Sequence, residues 1–310
     1  MTIDEASGAT RERRRLRERR GVRQFVANRA AVVSVCFLLA LVLLAFLAPL
    51  VATHDPDEQN LLNKFQSPSA EHWLGADLYG RDLFSRLVYS SRVTLLAMLQ
   101  GLAVASSLGI TLGLIAGYAG GVADALLSRV SDAIMALPPM ILALAIAGIL
   151  GAGLTNAMIA IGVVLAPPQF RLARGAAQSV ASETYIEACR AIGCSPGRIL
   201  WRHVLPNISS PLLIQTTFAA GVIVIAEASL SFLGLGVQPP QSSWGVMLRA
   251  AFDSIYQAPW MVLAPTVMIS LTILALSTFG DGLRDSLEGR GRTRSKRRRE
   301  RVESAARSSV

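Results

Sequence analysis

Glu187–Pro206 reads EACRAIGCSPGRILWRHVLP, a polar, Arg-bearing stretch with helical spacing, set between long apolar runs. A membrane chain that interrupts its spans with a short, basic, structured loop presents a docking surface to something in the cytoplasm. Thr184 and Glu187 fit a capping box, with Ser182 a rival N-cap. Tyr185, Cys189 and Ile192 fall on one face at helical spacing. Gly193 is placed to end the helix in a left-handed conformation. Ser195 then reads as an N-cap, with Pro196 at the first helical position. The second short helix carries Ile199, Leu200 and His203, and Pro206 closes it as the next span begins. The expectation is a helix–turn–helix knob over residues 182–206.

Composition places the rest of the chain in the membrane class. Of 310 residues, 52% are hydrophobic and only 16% charged, with mean hydropathy +0.45. A soluble domain carries about 25% charged residues. Here the charges gather at the ends: nine Arg over Arg11–Arg29 and ten Lys+Arg over Arg284–Arg307. No nucleic-acid-binding signature accompanies them. Basic tails beside apolar spans instead signal topology and touch anionic lipid, so the expected contact is the bilayer and not nucleic acid.

A helix needs about 20 apolar residues to cross about 30 Å of hydrocarbon. Ala30–Thr53 meets that length and reads as an uncleaved first span. Val93–Val122 gives the second. The uncharged run Ala133–Phe170 is too long for one helix; Gly148, Gly151 and Gly153 with Thr155 and Asn156 divide it into Ala133–Leu150 and Thr155–Phe170. Pro138, Pro139, Pro167 and Pro168 are expected to bend or end these helices. Pro211–Leu230 and Trp260–Gly280 complete six spans. An even count puts both Arg-rich ends and the Arg-rich loop after span four, counted from Arg171 and Arg174 onward, on one side, which the positive-inside rule makes cytoplasmic. The organisation is a basic tail 1–29, a first span 30–53, an external loop 54–92, a core 93–283 and a basic tail 284–310. Gly109, Gly113 and Gly117 at four-residue spacing mark close helix approach, within one bundle or against a partner subunit.

Chemistry-bearing residues are sparse. There is no phosphate-loop motif, no nucleophile–base set and no paired carboxylates within the spans, so no catalytic residue is expected. His54, His72 and His203 are scattered in sequence, and Cys36, Cys189 and Cys194 lack metal-ligand spacing, so no metal site is expected. Asp124 and Asp132 fall at the cytoplasmic ends of spans two and three. Glu227 is the acidic residue furthest inside an apolar run, and an ionisable residue at membrane depth is a functional candidate. It either lines the translocation path or makes structural hydrogen bonds in the turn around Gly234 and Gly236. Asp77, Arg81, Asp82 and Arg86 are expected to form exposed ion pairs outside. They either order that loop on the membrane surface or meet a delivery receptor.

The knob has the pattern E-A-x-x-x-x-G, nine residues, one position, then x-L-P, on Glu187, Ala188, Gly193, His203, Leu205 and Pro206. It resembles the EAA loop of permease subunits of bacterial ABC importers. Cys189 stands where Ala is usual and His203 where an apolar residue is usual, a departure the peptide-importer branch tolerates. HWLGADLYGRDLFSRLVYSSRVTL (His72–Leu95, with Ala76 where Thr is common), EASLSFLGLGVQPPQSSWGVML (Glu227–Leu248) and FGDGLRDSLEGR (Phe279–Arg290) are similar to segments of the dipeptide and oligopeptide C-type permeases.

The resemblance implies an all-α membrane protein with six transmembrane helices, a type I ABC importer bundle with a cytoplasmic coupling helix. Glu187, Ala188, Gly193, Arg198, His203, Leu205 and Pro206 would dock onto a cytoplasmic ATPase subunit, Glu187 bonding to the partner or capping its own helix. ATP would be used by that partner, with no cofactor on this chain. A second homologous permease, an external substrate-binding protein and the cytoplasmic membrane of a bacterium complete the expected setting. Branch members carry dipeptides, oligopeptides, glutathione or nickel. A secondary transporter would need coupling-ion residues at the bilayer centre, and a membrane enzyme would need buried acid–base pairs; the spans offer neither.

Overall fold

Short polar side chains, Asn28, Asp82 and Ser243, cap the starts of three of the helices. The computed structural model describes residues 25–307, with side chains through Leu287. The expected tail 1–29 therefore lies largely outside the described residues. Helix α1, Arg29–Phe46, begins where the Asn28 side chain accepts from the Ala31 amide (3.3 Å), and a single turn at Ala48–Val51 extends it. Helix α2, Leu83–Ala119, is 37 residues long and begins at Asp82, whose carboxylate accepts from the Ser85 amide at 2.8 Å. It starts well before the expected Val93. Its first turns look polar in sequence, yet Ser85, Arg86, Ser90 and Ser91 are buried against neighbouring segments.

Two expectations for the middle of the chain are corrected. The third crossing is not one helix from Ala133. It is α3, Gly121–Met135, and α4, Pro139–Leu150, bent by 96° at the break between them. Pro139 forces Pro138 out of the helical region (ψ 123°), which makes the corner. Helix α5, Leu154–Ala181, continues past Pro167 and Pro168, which therefore do not end it. Prolines are tolerated in such helices when neighbours hold the chain, and here Pro167 is buried in the bundle. Arg171 and Arg174 thus belong to this helix and not to the loop after it.

Helix α6, Thr184–Ala191, and α7, Pro196–Ile199, form the knob. A π turn at Leu200–Val204 then leads into α8, Leu205–Phe232, in which the Leu205 amide bonds to the Leu200 carbonyl. Pro206 therefore does not close the second short helix. The widened turn ahead of it accommodates a residue with no N–H, and one continuous helix leads from Pro196 into the span. Helix α9, Trp244–Asp253, is capped by Ser243, and α10, Leu263–Arg307, carries the last crossing onward through the C-terminal segment. Helices α1, α2, α5, the α7–α8 rod and α10 are each long and apolar enough to cross a membrane. The bent α3–α4 pair, taken as one span, brings the number of apolar crossings to six.

The glycine stripe decides the packing. A Cβ on Gly113 would lie 2.6 Å from the Phe170 carbonyl oxygen, and one on Gly117 would lie 2.8 Å from the Ala177 Cβ. Gly109 meets Ala166 and Gln169 in the same way, and Gly162 of α5 meets Val104 of α2. The close approach is thus inside this chain: α2 and α5 run parallel, backbone against backbone. Helix α8 returns antiparallel, with Ile208 and Leu212 beside Ala173 and Ala177, and Ile223 against Gly101. Phe218 of α8 meets Gly280 of α10, and Ala31 of α1 meets Gly282. The start of α1, the knob and the Gly282 region therefore share one end of the bundle. Asp82 and the α8–α9 connection occupy the other.

Candidate functional site

The knob has a buried root and an exposed tip. Ile186, Ile199 and Val204 are fully buried against Leu114, Ala173 and Ala177, which seats it on the ends of α2 and α5. Cys189 and Cys194 edge the same cluster as free thiols. Gly193 sits at φ +80° and its amide bonds to the Arg190 carbonyl (3.0 Å), the left-handed stop expected from the sequence. Ser195 is the N-cap of α7 and Pro196 its first residue, although the Ser195 hydroxyl makes no capping bond.

The start of α6 differs from expectation. Glu183 is its N-cap, with no side-chain cap bond, and Ser182 ends α5 instead. That placement turns Ile186 inward, while Tyr185 and Ile192 face out, with Ile192 80% exposed. The Tyr185–Cys189–Ile192 face is therefore the more exposed one.

Among the predicted docking residues, Glu187, Ala188, Gly193, Arg198 and Pro206 are exposed; His203 is half-buried, and Leu205 packs into the root. The Glu187 carboxylate has no hydrogen-bond or ion-pair partner among the described residues, so it does not cap its own helix. Trp201, 61% exposed beside Arg198 and Arg202, went unnoticed in the sequence; a tryptophan in a basic loop was the signal.

Ion pairs brace the base of the knob. Arg174 of α5 clasps Asp124 of α3 through two contacts, Nε to Oδ1 and Nη2 to Oδ2 (2.7 Å). Arg171 pairs with Asp132 at 2.8 Å. Arg190 lies over the Tyr118 ring at 4.8 Å, and the Asn207 amide donates to the Tyr185 hydroxyl at 2.8 Å.

At the opposite end, the expected exposed ion pairs prove to be buried. Asp77 accepts from the Tyr79 and Arg81 amides and the Arg81 guanidinium (2.7–3.0 Å). Arg86 donates to the Pro56 carbonyl at 3.0 Å and approaches Asp57 and Asp77. Asp82 does not pair with Arg86; it takes Nδ1 of His72 at 2.9 Å and Thr53 at 3.3 Å. Burial pushes the Asp82 carboxyl up, but hydrogen bonds from Ser85 and His72, with the nearby His54, outweigh it and leave it below the ordinary value. His54 and His72 are not scattered in space: their ring centroids lie 4.8 Å apart.

A cavity of about 700 Å³ opens at this end, lined by Asp57, Asp77, Arg81, Arg86, Arg249 and Asp253 among others. Glu227 does not line it. It is 1% exposed and accepts from the Ser231 hydroxyl at 2.7 Å, and that oxygen in turn accepts from the Val237 amide. One Glu227 oxygen is thus held in the turn after α8, while the other is buried with no partner among the described residues.

Six apolar crossings, a stiff polar knob at one end and a charged mouth at the other define a multi-pass membrane transport component. The comparisons with known proteins narrow the class. Residues 109–293 match the family model described as "Binding-protein-dependent transport system inner membrane component", and residues 19–68 match "N-terminal TM domain of oligopeptide transport permease C". The chain is 42% identical over 270 residues to a dipeptide transport system permease protein of Alkalihalophilus pseudofirmus, covering 87% of this chain and 89% of that one. It is 41% identical to a di/tripeptide permease protein of Pseudomonas aeruginosa (85% and 89% covered). A glutathione transport system permease protein of Pectobacterium atrosepticum is 39% identical (86% and 89% covered). Among solved structures, an inward-facing form of the MetNI methionine ABC transporter shares the fold, with TM-score 0.53 at 21% identity, over 64% of this chain and 95% of that one. The chain therefore belongs to the binding-protein-dependent transport system inner membrane component family. It is a membrane permease subunit of an ABC transporter and not an enzyme.

Proposed function

We propose that this chain is the translocating subunit of an ATP-driven importer of short peptides, and that the 182–206 knob docks on a cytoplasmic ATPase. The observation that carries the reading is the division of the knob: a fully buried root of Ile186, Ile199 and Val204 under an exposed tip of Glu187, Ala188, Ile192, Arg198 and Trp201. A seated root transmits a push that a loose loop would absorb. A carboxylate with no partner among the described residues, on a tip that also exposes Ile192, Arg198 and Trp201, is a surface suited to a protein partner. Gly193 sets the angle between the two short helices, while His203, Leu205 and Pro206 carry the knob into α8.

In this reading the knob end faces the cytoplasm and both termini lie there. The partners are a second homologous permease, ATPase subunits that use ATP, and an external binding protein that delivers peptide to the charged mouth. A mouth that carries both carboxylates and guanidinium groups suits a zwitterionic peptide, with its ammonium and carboxylate ends. The dipeptide and di/tripeptide relatives support this cargo over glutathione.

The test is Glu187→Lys. Loss of co-purifying ATPase and of ATP-driven uptake of a labelled dipeptide, with normal membrane insertion, is expected. Undiminished uptake would sink the proposed interface. Labelling of a cysteine placed at Arg198 from outside intact cells would invert the orientation.

A further inference from the structure

We propose that the outer segment holds a zinc-class divalent cation between His54, Glu71 and His72. One ring nitrogen of each histidine and one Glu71 carboxylate oxygen lie within 4.8 Å of one another. In a tetrahedral zinc site with bonds of about 2.0–2.1 Å, donor atoms sit about 3.3 Å apart. The exposed Glu71 and part-exposed His54 would rotate toward the buried His72 to close the difference.

The surroundings are those of a metal ligand set. The Asp82 carboxylate lies 2.9 Å from Nδ1 of His72 and accepts its proton. That fixes the tautomer and leaves the Nε2 lone pair outward, where the Asn63 amide now meets it at 3.2 Å. A carboxylate behind a histidine is the usual outer-shell device that orients the ring and raises its basicity toward a metal. His54 stands beside the same carboxylate, its Nδ1 3.0 Å from the Thr53 hydroxyl. These side chains border a cavity of about 130 Å³ that Asp55 and Glu58 also line. It has room for an ion with a water in the fourth position, and its carboxylates bias it toward a cation. Two imidazoles and a carboxylate suit zinc, cobalt or nickel more than calcium or magnesium. Bound there, the ion would tie the chain after α1 to the strap at Glu71–His72 and, through Asp82, to the start of α2.

The experiment uses the full untagged chain in nanodiscs, titrated with Co²⁺ as a spectroscopic probe. One equivalent per chain is expected, with a visible d–d absorption that Zn²⁺ displaces. His54→Ala and Glu71→Gln should each weaken binding at least tenfold, while His203→Ala at the far end leaves it unchanged. The side chain of His54 is 31% exposed and Glu71 is exposed, so both variants keep the fold; metal-free melting identical to the parent checks this. Absence of a tetrahedral cobalt spectrum, or binding undiminished in both variants, overturns the proposal.

Discussion

Arg174 and Asp124 are joined across α5 and α3 by two guanidinium–carboxylate contacts, one of them 2.7 Å, at the level where α5 approaches the knob. With Arg171–Asp132, the pair ties the helix that seats the knob to α3, while α4 packs against the same helix through Ala143 and Ala147.

Breaking this clasp is expected to uncouple more than it destabilises. A partly exposed ion pair contributes about 1 kcal/mol or less, so Asp124→Asn should leave expression intact. Uptake should fall severalfold, and the exchange of charges, Asp124→Arg with Arg174→Asp, should restore part of it. Radiolabelled uptake in the three strains measures the effect.

The parallel α2–α5 contact leaves no room for a side chain at Gly113. Gly113→Leu would drive atoms into the Phe170 carbonyl and Ala173, and overpacking of this kind costs about 1–3 kcal/mol or more. Folded yield in detergent should drop sharply. Gly148→Ala, where an added Cβ meets nothing within 4 Å, should be silent.

At Gly193 the constraint is the backbone alone, because an added Cβ also meets nothing within 4 Å. A left-handed alanine costs about 1–2 kcal/mol. Gly193→Ala is expected to insert normally but to lose ATPase co-purification and uptake, with Gly193→Asn less impaired because asparagine tolerates this region better.

Ile186 and Ile192 separate root from tip. Ile186→Ala should destabilise the knob by about 2–4 kcal/mol, read as faster proteolysis near residue 190. Ile192→Ala should leave proteolysis unchanged and weaken ATPase binding, measured by pull-down.

The outer segment should be acid-sensitive. Because the folded chain favours the Asp82 carboxylate, its stabilisation is complete above the unfolded value of about 3.9 and is withdrawn as pH falls through the lower folded value. Protease sensitivity of residues 54–82 should rise only below about pH 4. Asp82→Asn should show it already at neutral pH.

Much of this molecule was legible in its sequence because local chemistry decided it. Gly193, Ser195 and Pro196 act through their own backbone geometry, and they fall where the sequence placed them. The glycine stripe was equally visible, although only packing could say that its partner is α5. The failures are those of tertiary context. Pro167 and Pro168 read as breakers, yet a helix held by neighbours runs through them. Arg86 and Asp82 read as exposed charges, yet a folded outer segment encloses them with partners. Which side of α6 is inward depended on a shift of its first turn that no side-chain cap announced. The meeting of His54 with His72 is a product of the loop's path and leaves no periodic trace.

The 37-residue rod that begins at Pro196 is about 55 Å long at the helical rise of 1.5 Å per residue. It starts in the knob and ends at the turn after Phe232, passing the widened turn at Leu200–Val204 and Pro211 on the way. Such a rod acts as a lever: a tilt of a few degrees imposed at its inner tip swings the far end by several ångströms. If a partner drives the knob as proposed, leverage along this rod would carry its motion to the opposite end of the bundle.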